Sequence, residues 1–529
     1  MRNLPRLTCA LALPALLVGC GDSGTTSESG TGTATMGTTS PGTTEPGTTA
    51  VTSTPTTSVS GTDSGTATAT GTSNPTTTAS TGEPGTSTTT GSTGDASTSA
   101  GTSTGQVSAS SGGDSSSSGG PPPPVCGNGL TEMGEECDDG DQVDNNACSN
   151  ACKLVPCDQQ MGGGMGMFDF SYIWIANSGQ GTVSKVDTMM MKEVGRYYTD
   201  PVVGSSPSRT AVNVDGRYAA VANRIAGSVT VFAATEDDCK DTNGNGKIDT
   251  STGPNDIKPW GQDECMLWNL KVNPSNNNNE QKGPRPLGWD FADQDPITCE
   301  YQTHTLWMGW YGVNSEAYFW HLDQNGTKLG ETTVPVWGNK NAWGPYGGAV
   351  DKNHDFWVAG WHGPLVRINH ADYSYKMWND PMLNTVSSYG MALDKEGDPW
   401  FGGCGGSTVT FNAQNETFTN IGSTGGCQRG LMVDGKNRGW IAQNGGGGCL
   451  IQVDTVANKI VAQHQLPGCQ TVVGVSIDIE GFVWVVDQGG KAYKVDPDTL
   501  QSQTVTGFVG PYTYSDMTGA GIRLQAIPQ

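Results

Sequence analysis

Within Ser387–Leu431 stand Gly390-Met-Ala-Leu-Asp394, Asp398-Pro-Trp400-Phe-Gly-Gly, Ser407-Thr-Val-Thr-Phe-Asn412 and Glu416-Thr-Phe-Thr-Asn420. These read as four short strands: an apolar run closing on Asp, a Trp-centred strand, a β-branched strand closing on Asn, and a polar outer strand, with turn residues between them. The unit recurs. Trp357, Trp400, Trp440 and Trp484 hold the same place in successive copies, 43, 40 and 44 residues apart. A four-strand unit repeated every ~40–45 residues has the spacing of a β-propeller blade. One blade cannot bury its two faces alone, so the copies pack on one another around an axis.

Aligned on the Asp that closes the opening strand, the copies fall at Asp215, Asp290, Asp351, Asp394, Asp434 and Asp478. A further unit starts directly at its Trp strand, Tyr172-Ile-Trp174-Ile-Ala-Asn177, and its missing opening strand is expected at Tyr512-Thr-Tyr-Ser-Asp516. The expected fold is therefore all-β: a seven-bladed β-propeller over 165–529, closed by the C-terminal strand. The repeated Asp suits an Asx-type cap on the first turn of each blade.

The rest of the chain differs in composition. Residues 1–20 carry Arg2 and Arg6, an apolar run and Leu17-Val18-Gly19-Cys20. This is a secretion leader. Its end resembles the bacterial lipobox, which implies cleavage before Cys20 and acylation there, enough lipid for stable anchoring. Residues 21–124 are almost wholly Ser, Thr, Gly, Pro and Ala, a composition that cannot offset chain entropy by burial, so a disordered stalk is expected. Residues 125–157 contain Cys126-Gly-Asn-Gly129, Gly134-Glu-Glu-Cys137-Asp-Asp-Gly140, Cys148, Cys152 and Cys157. They resemble the cysteine-rich repeat of Myxococcus-type surface proteins, which implies an extracellular disulfide-stapled module with no known catalysis. So short a segment needs staples in any case. The net charge of −24 argues against nucleic acid and against docking on anionic lipid.

Blade two carries an insertion, 235–265. It contains Asp241-Thr-Asn243-Gly-Asn245-Gly-Lys-Ile-Asp249, with oxygen side chains at loop positions 1, 3, 5 and 9 and Gly at 6. This resembles an EF-hand or dockerin Ca²⁺ loop. Thr252 stands where the bidentate acid would be, and a plain Asx-rich turn is the other reading. Ca²⁺ is the one cofactor expected; no organic cofactor is.

Alternating strand directions place the loops between second and third strands, and the loops between blades, on one face, here called the top. Cys404 with Cys427 and Cys449 with Cys469 share that face and are expected to pair. Cys239 and Cys265 bracket the insertion on the opposite face, and Cys299 there is the natural partner of Cys157.

The Asp394…Trp400 and Asp478…Trp484 spacing resembles the seven-bladed streptogramin B lyases and their NHL/YVTN-type relatives. Those lyases use His and Glu side chains with Mg²⁺. Here the Trp strands end in Asn177, Asn223, Trp310, Gly360, Gly403, Gln443 and Asp487, never Glu, so the lyase set finds no match. The enzymatic alternative, a lyase or hydrolase working at the top face, rests on His362 and Glu316 as base and carboxylate.

The favoured reading is a binding protein: monomeric, lipid-anchored in the bacterial envelope, surface-exposed at the outer membrane, and taking an extracellular glycan or protein. Its candidate site is the top mouth of the channel. Five residues before the strand-closing Asp stand Arg285, Tyr346, Tyr389 and Arg429, and one residue out of step stand Arg209 and Tyr512. Arginine suits carboxylate, sulfate or phosphate, and tyrosine adds stacking area, so an anionic ligand is expected.

Overall fold

The computed structural model describes residues 123–144, 146–157, 170–272, 279–291, 294–295, 299–338 and 343–526. The expected leader, Cys20 and the stalk up to residue 122 lie outside the described residues. No helix of the described residues is long and apolar enough to cross a membrane.

Seven antiparallel sheets follow one another along the chain, six of four strands and the first of three. In each four-stranded blade the strands pair in chain order from the axis outward, as in Ser388–Leu393, Pro399–Gly403, Ser407–Asn412 and Thr417–Ser423. Burial falls along that order. The first two strands of this blade are fully buried, and the fourth alternates between half-buried and exposed. The four repeated Trp are 0–1% exposed and sit between blades.

The repeated Asp does more than cap a turn. Asp394 Oδ1 accepts the N–H of Glu396 and of Asp398, while Oδ2 accepts the Trp400 indole N–H at 2.8 Å. The same pair of bonds recurs from Asp351 to Trp357, Asp434 to Trp440 and Asp478 to Trp484. One carboxylate thus ties the first turn of the blade to its largest buried side chain. Two of the blade Asp residues meet a histidine from the next blade instead: His304 lies 2.9 Å from Asp215, and His354 lies 2.8 Å from Asp290, whose own blade keeps a buried Trp307 with its indole N–H unbonded.

Ring closure departs from expectation. Segment 512–516 joins blade one, but not as a regular strand. Pro511, just before it, bridges Asn177, Tyr514 bridges Arg209, and the Tyr512 N–H bonds Ala176 O at 3.0 Å. Its hydrogen bonds are shared between the inner strands of blades one and two, since Val212 N–H bonds Asp516 O. Ser515, at φ 109°, breaks the extended run. Beyond it, helix Ala520–Ala526 turns under the channel, where Gln525 Nε2 donates to Asp394 O at 2.6 Å.

The insertion is also not confined to the bottom face. Ile248, Cys239 and Cys265 pack in the cluster that holds Trp174 and Tyr197 of blade one. Trp260 lines one groove with Tyr198 and Val202, so the insertion climbs the outer edge of that blade.

Disulfides join Cys157 to Cys299, Cys239 to Cys265, Cys404 to Cys427 and Cys449 to Cys469. Within the cysteine-rich segment they join Cys126 to Cys152 and Cys137 to Cys148, a connectivity the spacing alone left open. Its acidic residues serve structure: Asp138 accepts the N–H of Gly127, Asn128, Gly129 and Gly140 at 2.8–3.1 Å.

Candidate ligand site at the mouth of the channel

Inner strands crowd around the axis, and glycine marks where. A Cβ on Gly390 would sit 1.9 Å from Arg429 O, and one on Gly474 would sit 2.1 Å from Thr513 O. At this level five of the inner strands carry a β-bulge. Tyr346, Tyr389 and Val473 are left unpaired between their register neighbours, as are Arg429 with Gly430, and Ser208 in blade two. A bulge bends its strand and re-aims a side chain. Because blade two spends its bulge on Ser208, its large mouth residue is Arg209, which accounts for the offset of one in the sequence.

The bulges bring Tyr346, Tyr389 and Tyr514 into one buried cluster edged by Trp343, Trp361 and Tyr512. Tyr346 and Tyr389 meet edge-on at 5.3 Å, and Trp361 tilts against each at 5.2 Å. Four guanidiniums enter it. Arg209 lies over the Tyr514 ring at 3.1 Å, Arg224 over Tyr512 at 4.4 Å, Arg285 over Trp343 at 4.7 Å and Arg429 over Tyr389 at 5.3 Å. Aromatic faces stabilise such cations.

The arginines differ in role. Arg209, 0% exposed, donates from Nε and Nη2 to Tyr346 O at 3.1 and 2.9 Å and reaches Tyr389 O at 3.5 Å. It ties blades two, four and five across the axis, while its Nη1 is buried without a hydrogen bond. Burial pushes its pKa down to about 10. Arg224 pairs with Glu280 at 2.8 Å. Arg285 and Arg429 have no carboxylate partner among the described residues, and Arg285 Nε and Nη2 and Arg429 Nε are buried without hydrogen bonds. Burial alone would raise the Tyr346 phenol, but Arg285 and Arg209 beside it outweigh this and hold it below its usual value. The mouth is thus a cationic, aromatic-walled spot on a chain of net charge −24. Tyr514, Trp343 and Trp361 were missed by the sequence reading. The first lies two residues past Tyr512, so it shared a strand signal with a residue already chosen.

The proposed catalytic pair is not assembled. His362 Nδ1 lies 2.8 Å from Asn384 O, with Ser387 Oγ 3.2 Å from Nε2. Glu316 is held by the N–H of Asn314 at 2.9 Å. Trp337 stands between the two loops, its N–H on Ser315 O and its indole N 2.7 Å from where a Gly360 Cβ would be. The remaining histidines serve structural bonds, as His304 and His354 do with the blade Asp.

In the insertion, Asp241 accepts the N–H of Gly244, Asn245 and Gly246, and the Asn243 and Asn245 amides both reach Asp249 Oδ2 at 2.9 and 2.8 Å. Glu264 closes the loop from outside the motif: Oε1 takes Thr242 and Asn243 N–H, and Oε2 takes Asp249 N–H at 2.7 Å. Those backbone donors, that of Asp249 foremost, lower its pKa.

No protein-family model and no curated protein matches this chain. Solved structures of similar fold include a streptogramin B lyase, 12% identical, with 60% of this chain and 87% of that one covered and a TM-score of 0.43. A virginiamycin B lyase from Staphylococcus aureus is 16% identical over 44% and 74%, at a TM-score of 0.36. AztD from Citrobacter koseri is 12% identical over 65% and 97%, at 0.40.

Proposed function

We propose that this chain is a lipid-tethered envelope protein whose propeller binds an anionic extracellular ligand, a glycan or an acidic protein, at the top mouth of its channel. One observation carries the reading: Arg285 and Arg429 converge on that mouth, bear buried N–H groups without acceptors, and are paired to no carboxylate among the described residues, the nearby Glu280 being taken by Arg224. An unpaired buried donor on a charged group is costly, and an incoming anion removes that cost. The leader, Cys20 and the stalk put the propeller outside the cell, within reach of such ligands. His362 and Glu316 each bond to other groups and form no ion pair with one another among the described residues, which favours binding over base–carboxylate catalysis. An array of acidic and neutral glycans and of acidic peptides, probed with the full-length protein in detergent, tests the reading. Acidic members are expected to bind and neutral ones not; a set of neutral binders alone overturns it.

The same reading gives the insertion loop to Ca²⁺, with Asp241, Asn243, Asn245 and Asp249 as its oxygen donors. Millimolar Ca²⁺ is expected to raise the melting temperature, since a ligand that binds only the folded state stabilises it. Asp241→Ala is expected to abolish the rise. A parent protein whose melting is indifferent to Ca²⁺ contradicts the assignment.

A further inference from the structure

The unpaired donors of Arg285 are not scattered around its guanidinium. Nη1 faces the backbone, 3.5 Å from Gln281 O and 3.4 Å from Gly283 O. The two without acceptors, Nε and Nη2, share the opposite edge. That edge holds a carboxylate twice elsewhere in this protein. Arg196 gives Nε and Nη2 to the two oxygens of Glu193 at 2.7 and 2.8 Å, and Arg217 gives the same two nitrogens to the two oxygens of Asp238. Arg285 is 1% exposed and lacks the acid its two counterparts have; the nearby Glu280 is taken by Arg224. A planar fork with two parallel N–H groups matches a planar, two-oxygen anion better than a tetrahedral one.

Aromatic side chains flank this edge. The half-buried Trp343 ring lies over the guanidinium at 4.7 Å, and Tyr346 lies at 5.2 Å. Trp361 lies 5.2 Å from the Tyr346 ring. Flat indole faces beside a carboxylate fork suit a sugar ring that carries a carboxyl group. Because Arg285 is 1% exposed beneath Trp343, seating a ligand there requires the Trp343 side chain to turn aside.

We propose that the Nε/Nη2 edge of Arg285 seats the carboxylate of a uronic acid, with Trp343 and Trp361 as its stacking walls and Arg429 as a second cation across the mouth. The proposal rests on the axial-site reading above and names the group that site recognises. Calorimetry with the full-length protein tests it at matched ionic strength, using glucuronate, its neutral methyl ester and glucose 6-sulfate as probes. Glucuronate is expected to bind at least ~10-fold more tightly than the ester and than the sulfate, a margin of about 1.4 kcal/mol. Arg285→Lys, which keeps the charge but not the fork, is expected to remove at least ~10-fold of that affinity. Acid and ester of equal affinity, a sulfate as tight as the acid, or no binding of any probe at millimolar concentration overturns the assignment without recourse to a variant. An array ligand that binds Arg285→Lys unchanged yet is lost in Arg429→Ala overturns this inference and leaves the axial site standing. A ligand indifferent to both substitutions overturns the axial site itself.

Discussion

Trp400→Ala is expected to lower the unfolding free energy by about 3–5 kcal/mol, the usual loss for a large aromatic removed from a core. Trp400 is 1% exposed and packs with Ala392, Leu431 and Trp440, so its removal opens a void between blades five and six. Asp394→Ala should approach the same loss by another route. It leaves the Trp400 indole N–H and the backbone N–H groups of Glu396 and Asp398 without acceptors, each at a cost of about 1–3 kcal/mol. Since both changes break one bond, the double variant should lose less than the sum. Urea unfolding of the three variants and of Trp400→Phe, which keeps most of the ring but not the N–H, separates packing from hydrogen bonding. Losses below ~1 kcal/mol for both single changes would contradict the view that the Asp–Trp bond organises each blade.

Arg429→Ala is expected to weaken binding of the acidic ligand by about 1.5–3 kcal/mol, as for a hydrogen bond to a charged group, while leaving the fold intact. Arg429 is half-buried, and its guanidinium lies 5.3 Å from the Tyr389 ring. The fully buried Arg209, by contrast, holds Tyr346 O and Tyr389 O, so Arg209→Ala is expected to destabilise the ring itself. Calorimetric affinity together with melting temperature distinguishes the two. An Arg429→Ala protein that binds its ligand as the parent does contradicts the site.

The blades were legible because the Trp strand repeats at a nearly constant period and each copy closes its first strand on Asp. The indole bond between those two residues was not, since it depends on the turn folding back over the second strand. At the mouth, counting back five residues from Asp found Arg285, Tyr346, Tyr389 and Arg429, because the inner strands keep one register. Counting could not foresee the bulges, which arise where inner strands crowd at Gly390 and Gly474. Nor could it separate Arg209, which bridges carbonyls across the axis, from Arg285, whose carboxylate edge is unpaired; both are an Arg before an apolar strand. Tyr512–Asp516 is expected as the opening strand that blade one lacks, yet two neighbouring blades compete for its backbone, and Ser515 at φ 109° ends the extended run. The helix Ala520–Ala526 lay beyond the last repeat, where periodicity has nothing to say.

A crystal structure of the protein with a bound acidic oligosaccharide tests the central claim most directly. The account predicts a carboxylate in the plane of the Arg285 guanidinium, its oxygens at about 2.7–2.9 Å from Nε and Nη2, with Arg429 within reach and a sugar ring against Trp343 or Trp361. A ligand seated instead in the groove of Trp260 and Val202, or on the bottom face by the C-terminal helix, with the Arg285 edge still unpaired, would contradict it.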